Sequence, residues 1–295
     1  MTSSPSFEAF CDWLDVTYSP TDCPYPDLRL LLLGAGFEVS RDSGGSTVFL
    51  PAEGRGVAKV TQASKYAKVS LSGGVVAVLR DLGLWDEALS ILSTSPHKVT
   101  RVDAALDLPI DAADVIAGLR SRYPLGAVSL GRKSLPVTVM LSVRADGRES
   151  GTYYVGHRTA ARQTCRVYDK SLEMLEKYGQ VLPTTTRVEV TARKDSGATL
   201  RDAAIPSALF WHIAAPAILQ RPEDIPVWVP NTDMTYTAPT RPFVPAEVLR
   251  RRVECSAELD ALLAVADDMG PAGRDFLLSL LRRRVVGRDE AADVA

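Results

Sequence analysis

Residues that usually announce a metal or redox centre are scarce in this sequence. Its three histidines, His97, His157 and His212, are isolated from one another, which excludes a site built on a close pair of imidazoles. The four cysteines, Cys11, Cys23, Cys165 and Cys255, form no C-x-x-C pair; a zinc signature and a disulfide framework are both excluded, and a reducing cytoplasm fits best. Long apolar runs are missing too. The longest, Ala208–Leu219, is broken by His212 and Pro216, and the opening MTSSPSFEAFCDW has no cationic stretch leading into an apolar one, so neither a signal peptide nor a membrane span is expected. Charge of one sign is not in excess: 34 Lys and Arg against 36 Asp and Glu leave a formal −2, which excludes a polycation that coats nucleic acid. Nor is there a phosphate loop. Gly34-Ala35-Gly36 lacks a third glycine and a Lys-Ser/Thr, and reads as the stop of a helix.

What remains is an ordinary globular composition, 46% hydrophobic and 24% charged over 295 residues, enough for one large domain or two modest ones. Residues 12–18 (DWLDVTY) alternate as a strand, and PDLRLLLLGAG after them reads as a buried helix. Short strands are expected at Thr47–Leu50, Val57–Thr61 and Tyr66–Leu71. The run VVAVLRDLGLWDEALSIL has helical spacing, weakened in the middle by Gly83. A strand at Val99–Leu108 and a helix from Asp111 to about Tyr123 follow. The second half opens with VTVMLSV and TYYVG, a hairpin by its Asp146-Gly147 turn. Strands Thr164–Asp169 and Thr186–Arg193 bracket the helix KSLEMLEKYG, and a long helix is expected from about Thr199 to Leu219, kinked or split by Pro206 and Pro216. This pattern is α+β: a central antiparallel sheet with helices packed on one face, plus a C-terminal helical segment. The expected divisions are residues 1–220; a linker at 221–245 marked by Pro222, Pro226, Pro230, Pro239, Pro242 and Pro245; and helices at 246–295.

Three strands share one local grammar: Arg101-Val102-Asp103, Arg166-Val167-Tyr168 and Arg187-Val188-Glu189. Strand alternation sends each arginine and the third residue to one face and the valine to the other. Asp107 continues the first triplet on the same side, Lys170 the second if the strand reaches it, Thr191 and Arg193 the third. A face so rich in charge needs solvent or a ligand. Carboxylates from separate strands suit a hard divalent ion, Mg²⁺ or Mn²⁺; the cations suit phosphates; a tyrosine among them can attack phosphorus and form a covalent phosphotyrosine. Tyr168 also ends its strand where a helix begins, so a phosphate there would feel the helix N-terminus. Tyr153 and Tyr154 compete with it, and only one of that pair can face the site. His157 reads as a solvated turn residue, Cys165 as small and buried, and Trp13, Trp85 and Trp211 as core. Trp228 either stacks on a base or pins the linker. The runs Arg250–Arg252 and Arg282–Arg284 sit among acids and could equally grip DNA or be solvated.

In order along the chain, DWLDVTY, VTRVDAALDL, TYYVGHRTAARQTCRVYDKSLEM and TTRVEVTARKD resemble the plasmid and phage rolling-circle replication initiation factors over roughly residues 10 to 220. The resemblance implies a nicking-enzyme-like fold, with two related halves as one version of it. It also implies a protein that binds a double-stranded origin, nicks one strand through a tyrosine, stays attached to the 5′ phosphate and leaves a 3′ hydroxyl for synthesis. It assigns Tyr168 as nucleophile and Asp103, Asp107 and Glu189 as acidic metal ligands. Arg101, Arg166, Lys170, Arg187, Arg193 and Lys194 then contact phosphate. Origin DNA, a host helicase and a second copy of the chain are the implied partners, with no membrane. The isolated histidines set the chain apart from nicking enzymes that hold a metal with a His-hydrophobe-His pair. Two readings stand beside this one: an origin-binding or repressor protein without activity, and a water-using metal nuclease. The charge is polarised to match. Residues 132–194 hold 12 basic and 6 acidic side chains, a local +6 around Tyr168 and Glu189.

Overall fold

The computed structural model describes residues 8–42, 46–52, 55–128, 136–143, 149–157, 161–215, 218, 222–231, 270, 271, 274 and 275. The chain divides into one unit of residues 1–40 and 46–240 and another of 41–45 and 241–295. The turn at residues 145–148, most of the C-terminal helices and both late arginine runs lie outside the described residues.

The elements are β1 (Phe10–Tyr18), α1 (Tyr25–Gly34), β2 (Phe37–Asp42), β3 (Ser46–Pro51), β4 (Ala58–Gln62), β5 (Ala67–Ser72), α2 (Gly73–Asp81), α3 (Trp85–Ser93), β6 (His97–Leu108), α4 (Ala112–Arg122), β7 (Val137–Val143), β8 (Glu149–Val155), β9 (Gln163–Asp169), α5 (Lys170–Tyr178), β10 (Thr186–Arg193), α6 (Leu200–Ala204) and α7 (Ser207–Ala214). The strands form one sheet in the order β2-β3-β4-β5-β1-β6-β10-β9-β8-β7. The registers from β3 to β7 are antiparallel throughout. The α+β architecture read from the sequence is therefore the one the chain adopts.

That order is two copies of one plan. In each half a first strand (β1, β6) is followed by a helix (α1, α4), then a four-strand meander whose last member (β5, β10) returns beside the first, then a pair of helices (α2 and α3, α6 and α7). The copies meet where β1 pairs with β6. One element breaks the correspondence. Between β4 and β5 the chain turns tightly, closed by Ala63 N–H donating to Tyr66 O at 2.8 Å, whereas between β9 and β10 it inserts α5.

Alternation gives the sheet an apolar face made by Leu14, Val16, Val102, Ala104, Cys165, Val167, Val188 and Val190, all buried. Leu28 and Leu32 of α1, Val75 and Leu79 of α2, Leu92 of α3, Ile116 and Leu119 of α4, and Leu209, Phe210 and Ile213 of α7 join the same core. Each such side chain contributes about 1.5–3 kcal/mol by leaving water. Helix ends follow local chemistry. The Asp111 carboxylate accepts from Ala113 N–H at 2.7 Å, and Thr199 with Asp202 forms a capping box for α6.

The segment after Thr199 is split at Pro206, one of the two breaks expected there, because its ring blocks the turn before it. Other expectations are corrected. The run after Ser72 is two helices, because Gly83 takes φ 70°, a left-handed turn that a continuous helix does not contain. Strand β2 was not anticipated. Trp13 is not core: it stands on the polar face, its ring 4.7 Å from the Arg101 guanidinium and its Nε1–H donating to Asp15 at 2.8 Å. Trp228 pins rather than stacks on a base; it is buried, donates to Asp202 at 2.7 Å and lies against His212.

Candidate active site on the polar face of the sheet

The three Arg-Val-X triplets fall on three adjacent strands. Across β9 and β10, Arg166 is opposite Glu189 and Tyr168 opposite Arg187. Across β10 and β6, Arg187 is opposite Asp107, Thr191 opposite Asp103, and Arg193 opposite Arg101. All these side chains share the face away from the core. On β8, Thr152 and Tyr154 continue that face opposite Tyr168 and Arg166, so Tyr154 is the member of its pair that looks toward the site. Tyr153 is fully buried on the apolar side.

Each acid is held by an arginine. Arg101 pairs with Asp103 through two contacts, the Nε–Oδ1 one at 2.9 Å. Arg166 Nη2 donates to Glu189 Oε2 at 2.5 Å. Arg187 forks onto Asp107, Nε to Oδ1 at 2.6 Å and Nη2 to Oδ2 at 2.7 Å. Arg187 also reaches Asp12 Oδ1 with Nη1 at 3.0 Å and lies over Phe10, 4.9 Å from its ring. Tyr168 Oη donates to Glu189 Oε2 at 3.4 Å, with the Arg166 guanidinium 5.1 Å from the ring. A proton on Tyr168 therefore has a carboxylate to go to, and two guanidiniums flank the oxygen that would be left.

The electrostatics are those of a crowded, dry patch. Glu189 and Asp103 are each 1% exposed. Burial, then repulsion from Glu189, pushes the Asp103 carboxyl up to about 6. Burial likewise raises Glu189, against the pull of Arg166. Glu189 Oε1 has no hydrogen-bond donor among the described residues; a proton shared with Asp103, or a cation, would satisfy it. Tyr168 is raised first by burial and next by Glu189, while Arg187 and Arg166 work the other way. A free phenolate is thus not the resting state, and nucleophilic attack needs the base beside it.

Helix α5 starts two residues after Tyr168. Asp169 caps it, accepting from Leu172 N–H at 2.8 Å. Lys170 and Lys177 grip Glu173 at 2.7 and 2.5 Å; burial opposes them, but the two ammonium groups hold that carboxyl at about 2. From the first half, Arg55 covers the other end of α5, its guanidinium 3.8 Å from the Tyr178 ring. Between α5 and β7–β9 lies a cavity of about 280 Å³ whose lining includes Thr152, Tyr154, Arg166, Tyr168, Glu173 and Lys177. Among the described elements, the sheet thus carries helices on its apolar face and α5 over its polar face.

No protein-family model matches the chain, and no curated protein matches it. Among solved structures it is similar to the rolling circle replication initiator protein from Geobacillus stearothermophilus, at 19% identity and TM-score 0.49, over 67% of this chain and 78% of that one. It is similar also to the di-domain ARO/CYC BexL from the BE-7585A biosynthetic pathway, at 14% identity and TM-score 0.22, over 72% and 99%. At these levels the site has to be read from its own residues.

Of the expected residues, Arg101, Asp103, Asp107, Arg166, Tyr168, Arg187, Glu189 and Arg193 share the polar face, while Lys194 is exposed just past the end of β10. The expected metal trio does not assemble. Asp103 and Glu189 are neighbours, but Asp107 is engaged by Arg187 further along the strand, and no group of three His, Cys, Asp or Glu side chains among the described residues is placed to hold a metal. The donor chemistry suits a hard cation at the Asp103–Glu189 pair, where a buried oxygen lacks a partner, and not at Asp107. Asp12 was missed. The register slips between Cys11 and Trp13, and this bulge turns Asp12 toward the site, where simple alternation would place it with the core.

Proposed function

We propose that the chain is a DNA strand transferase of the rolling-circle initiator type. The observation that supports it most is one cluster: Tyr168 Oη beside Glu189 Oε2, between Arg166 and Arg187, at the start of α5. In the reaction, Tyr168 Oη attacks the phosphorus of a single-stranded phosphodiester. The new bond joins the phenol oxygen to the 5′ phosphate, and the bond to the 3′ oxygen breaks. Glu189 takes the phenol proton, and a proton returns to the leaving oxygen as the 3′ hydroxyl, so the exchange balances without oxidant or hydrolysis. Arg166 and Arg187 neutralise the phosphate as charge builds on its oxygens. A Mg²⁺ or Mn²⁺ held by Asp103 and Glu189 would supply further charge stabilisation when bound. Origin DNA is the partner this reading requires, single-stranded at the nick because the attack must reach one strand.

The test is a denaturing gel. A 3′-labelled pool of single-stranded oligonucleotides is incubated with the full chain and Mn²⁺. A labelled band that migrates with protein, and is lost in Tyr168→Phe, is the expected result. Cleavage without an adduct would make the protein a nuclease using water, and binding without cleavage would make it an origin-binding protein. An adduct that persists in Tyr168→Phe would move the nucleophile to Tyr154.

A further inference from the structure

The polar face does not end at Tyr168. Arg187 stands opposite that tyrosine, and Arg193 is six residues further along β10, about 20 Å away at the ~3.4 Å rise of a strand. There Arg193 lies directly opposite Arg101. Like charges facing each other across neighbouring strands are unfavourable, and burial together with Arg101 lowers Arg193. Lys98 extends the same side of β6, opposite Thr17 of β1. The chain backbone just before β9 brings Arg162 to this end as well, its carbonyl accepting from Arg193 N–H at 2.8 Å.

Here the structure opens a second cavity, of about 400 Å³, whose lining includes Lys98, Arg162, Asp195, Ser196, Thr199 and Asn231. One wall is the loop from β10 to α6. Asp195 in that loop is the only non-glycine residue with a positive φ, 67°, among the described residues, a conformation that costs of order 1 kcal/mol and collects at ligand sites. Its carboxylate holds Lys98 at 2.8 Å, and Asn231 N–H donates to Gly197 O at 3.0 Å to close the far side. The lining mixes the cations Lys98 and Arg162 with hydroxyl and amide groups and with apolar surface from Val99, Ala198 and Pro230. A phosphate with an attached heterocycle would find both of its halves matched.

We propose that this cavity holds a nucleotide of the same single strand that Tyr168 attacks, with its phosphate on Lys98 and Arg162 and its base against the Ser196–Thr199 loop and Asn231, while Arg193 and Arg101, outside the lining, take the next phosphate toward Tyr168. The inference rests on the strand-transfer reading and extends it: the sheet grips the strand at two stations, one for chemistry and one for position. Positioning at a distance fixes which phosphodiester sits at Tyr168.

The experiment measures binding to the full chain by fluorescence anisotropy, using labelled oligothymidylates of two and fifteen nucleotides, the shorter unable to span both stations. Wild type is expected to gain about tenfold in affinity with the longer strand, and the Lys98→Ala/Arg162→Ala double variant to lose most of that gain. Its plot of log affinity against log salt with the longer strand should also flatten by about 1.4, at ~0.7 per phosphate contact on a single strand. Both substituted residues are surface cations outside the core, and circular dichroism checks that the variant folds. An equal length gain and equal salt slope in the two proteins overturn the proposal. So does competition by thymidine monophosphate that matches the long strand, because the cavity would then serve a free nucleotide. If the variant shows its expected defect but wild type forms no covalent adduct with any oligonucleotide, the strand-binding station stands and the tyrosine chemistry falls.

Discussion

The protonation of Asp103 makes protein stability depend on pH in an unusual direction. In the unfolded chain this carboxyl titrates near 3.8; in the fold, burial and then Glu189 move it to about 6. Between those values the native state binds more protons than the unfolded state, so stability falls as pH rises. The contribution is fully present below about pH 4 and is lost as pH rises through about 6. Its full size is about 3 kcal/mol, of which about 2 lies between pH 4.5 and 7.5. For a chain this long, that is a drop of about 4–8 °C in Tm. Glu173, held at about 2, opposes this by only about 0.4 kcal/mol over the same range. The assay is thermal unfolding by far-ultraviolet circular dichroism at pH 4.5 and 7.5, with chelator present so that no divalent ion neutralises the pair. Asp103→Asn removes the titrating group, and its comparison with wild type cancels the contributions of groups that do not touch Asp103. The variant should lose most of the pH dependence that wild type shows through Asp103. If both proteins show the same difference in Tm between the two pH values, Asp103 does not hold the proton and the account of the buried pair is wrong.

Two further outcomes test the same face. Arg187 bridges Asp107 and Asp12 while 10% exposed, so Arg187→Ala leaves two acids without their cation and should cost about 3 kcal/mol or more in urea unfolding. Arg187→Lys keeps the charge but loses the fork and should recover only part of that; full recovery would mean that charge alone matters. Isothermal titration with Mn²⁺ at pH 7.5 should show binding to wild type that Glu189→Gln abolishes, and equal binding to both would place the cation elsewhere.

Much of this site was legible because strand alternation is so simple a rule. The triplets Arg101-Val102-Asp103, Arg166-Val167-Tyr168 and Arg187-Val188-Glu189 lie where counting by two puts them, with valines in the core and charges together. What alternation does not contain is register. Only the pairing of β10 with β6 shows that Asp107 faces Arg187 and Asp103 faces Thr191, which is why the expected ligand trio fails to gather. Counting by two also breaks at a bulge, which hides Asp12; Trp13 lies where the count from Leu14 puts it, on the polar face, and only its large apolar ring suggests the core. The helix split at Gly83 was half visible: the glycine marks a weak point, but only its left-handed φ decides that the axis ends there. That Arg55 of the first half would reach over Tyr178 of the second is a long-range contact with no local trace.

The inserted helix α5 has a numerical consequence. The two halves repeat one plan, yet only the second interrupts its last hairpin with a helix, and that interruption creates the seat beside Tyr168. The first half closes its hairpin with a tight turn, and the tyrosine in that turn, Tyr66, has no helix beside it to build a seat. On the strand-transfer reading, Tyr168 of one chain holds at most one DNA end at a time, and a process that must cut twice before letting go needs either a second chain or a strand end that returns to displace the first.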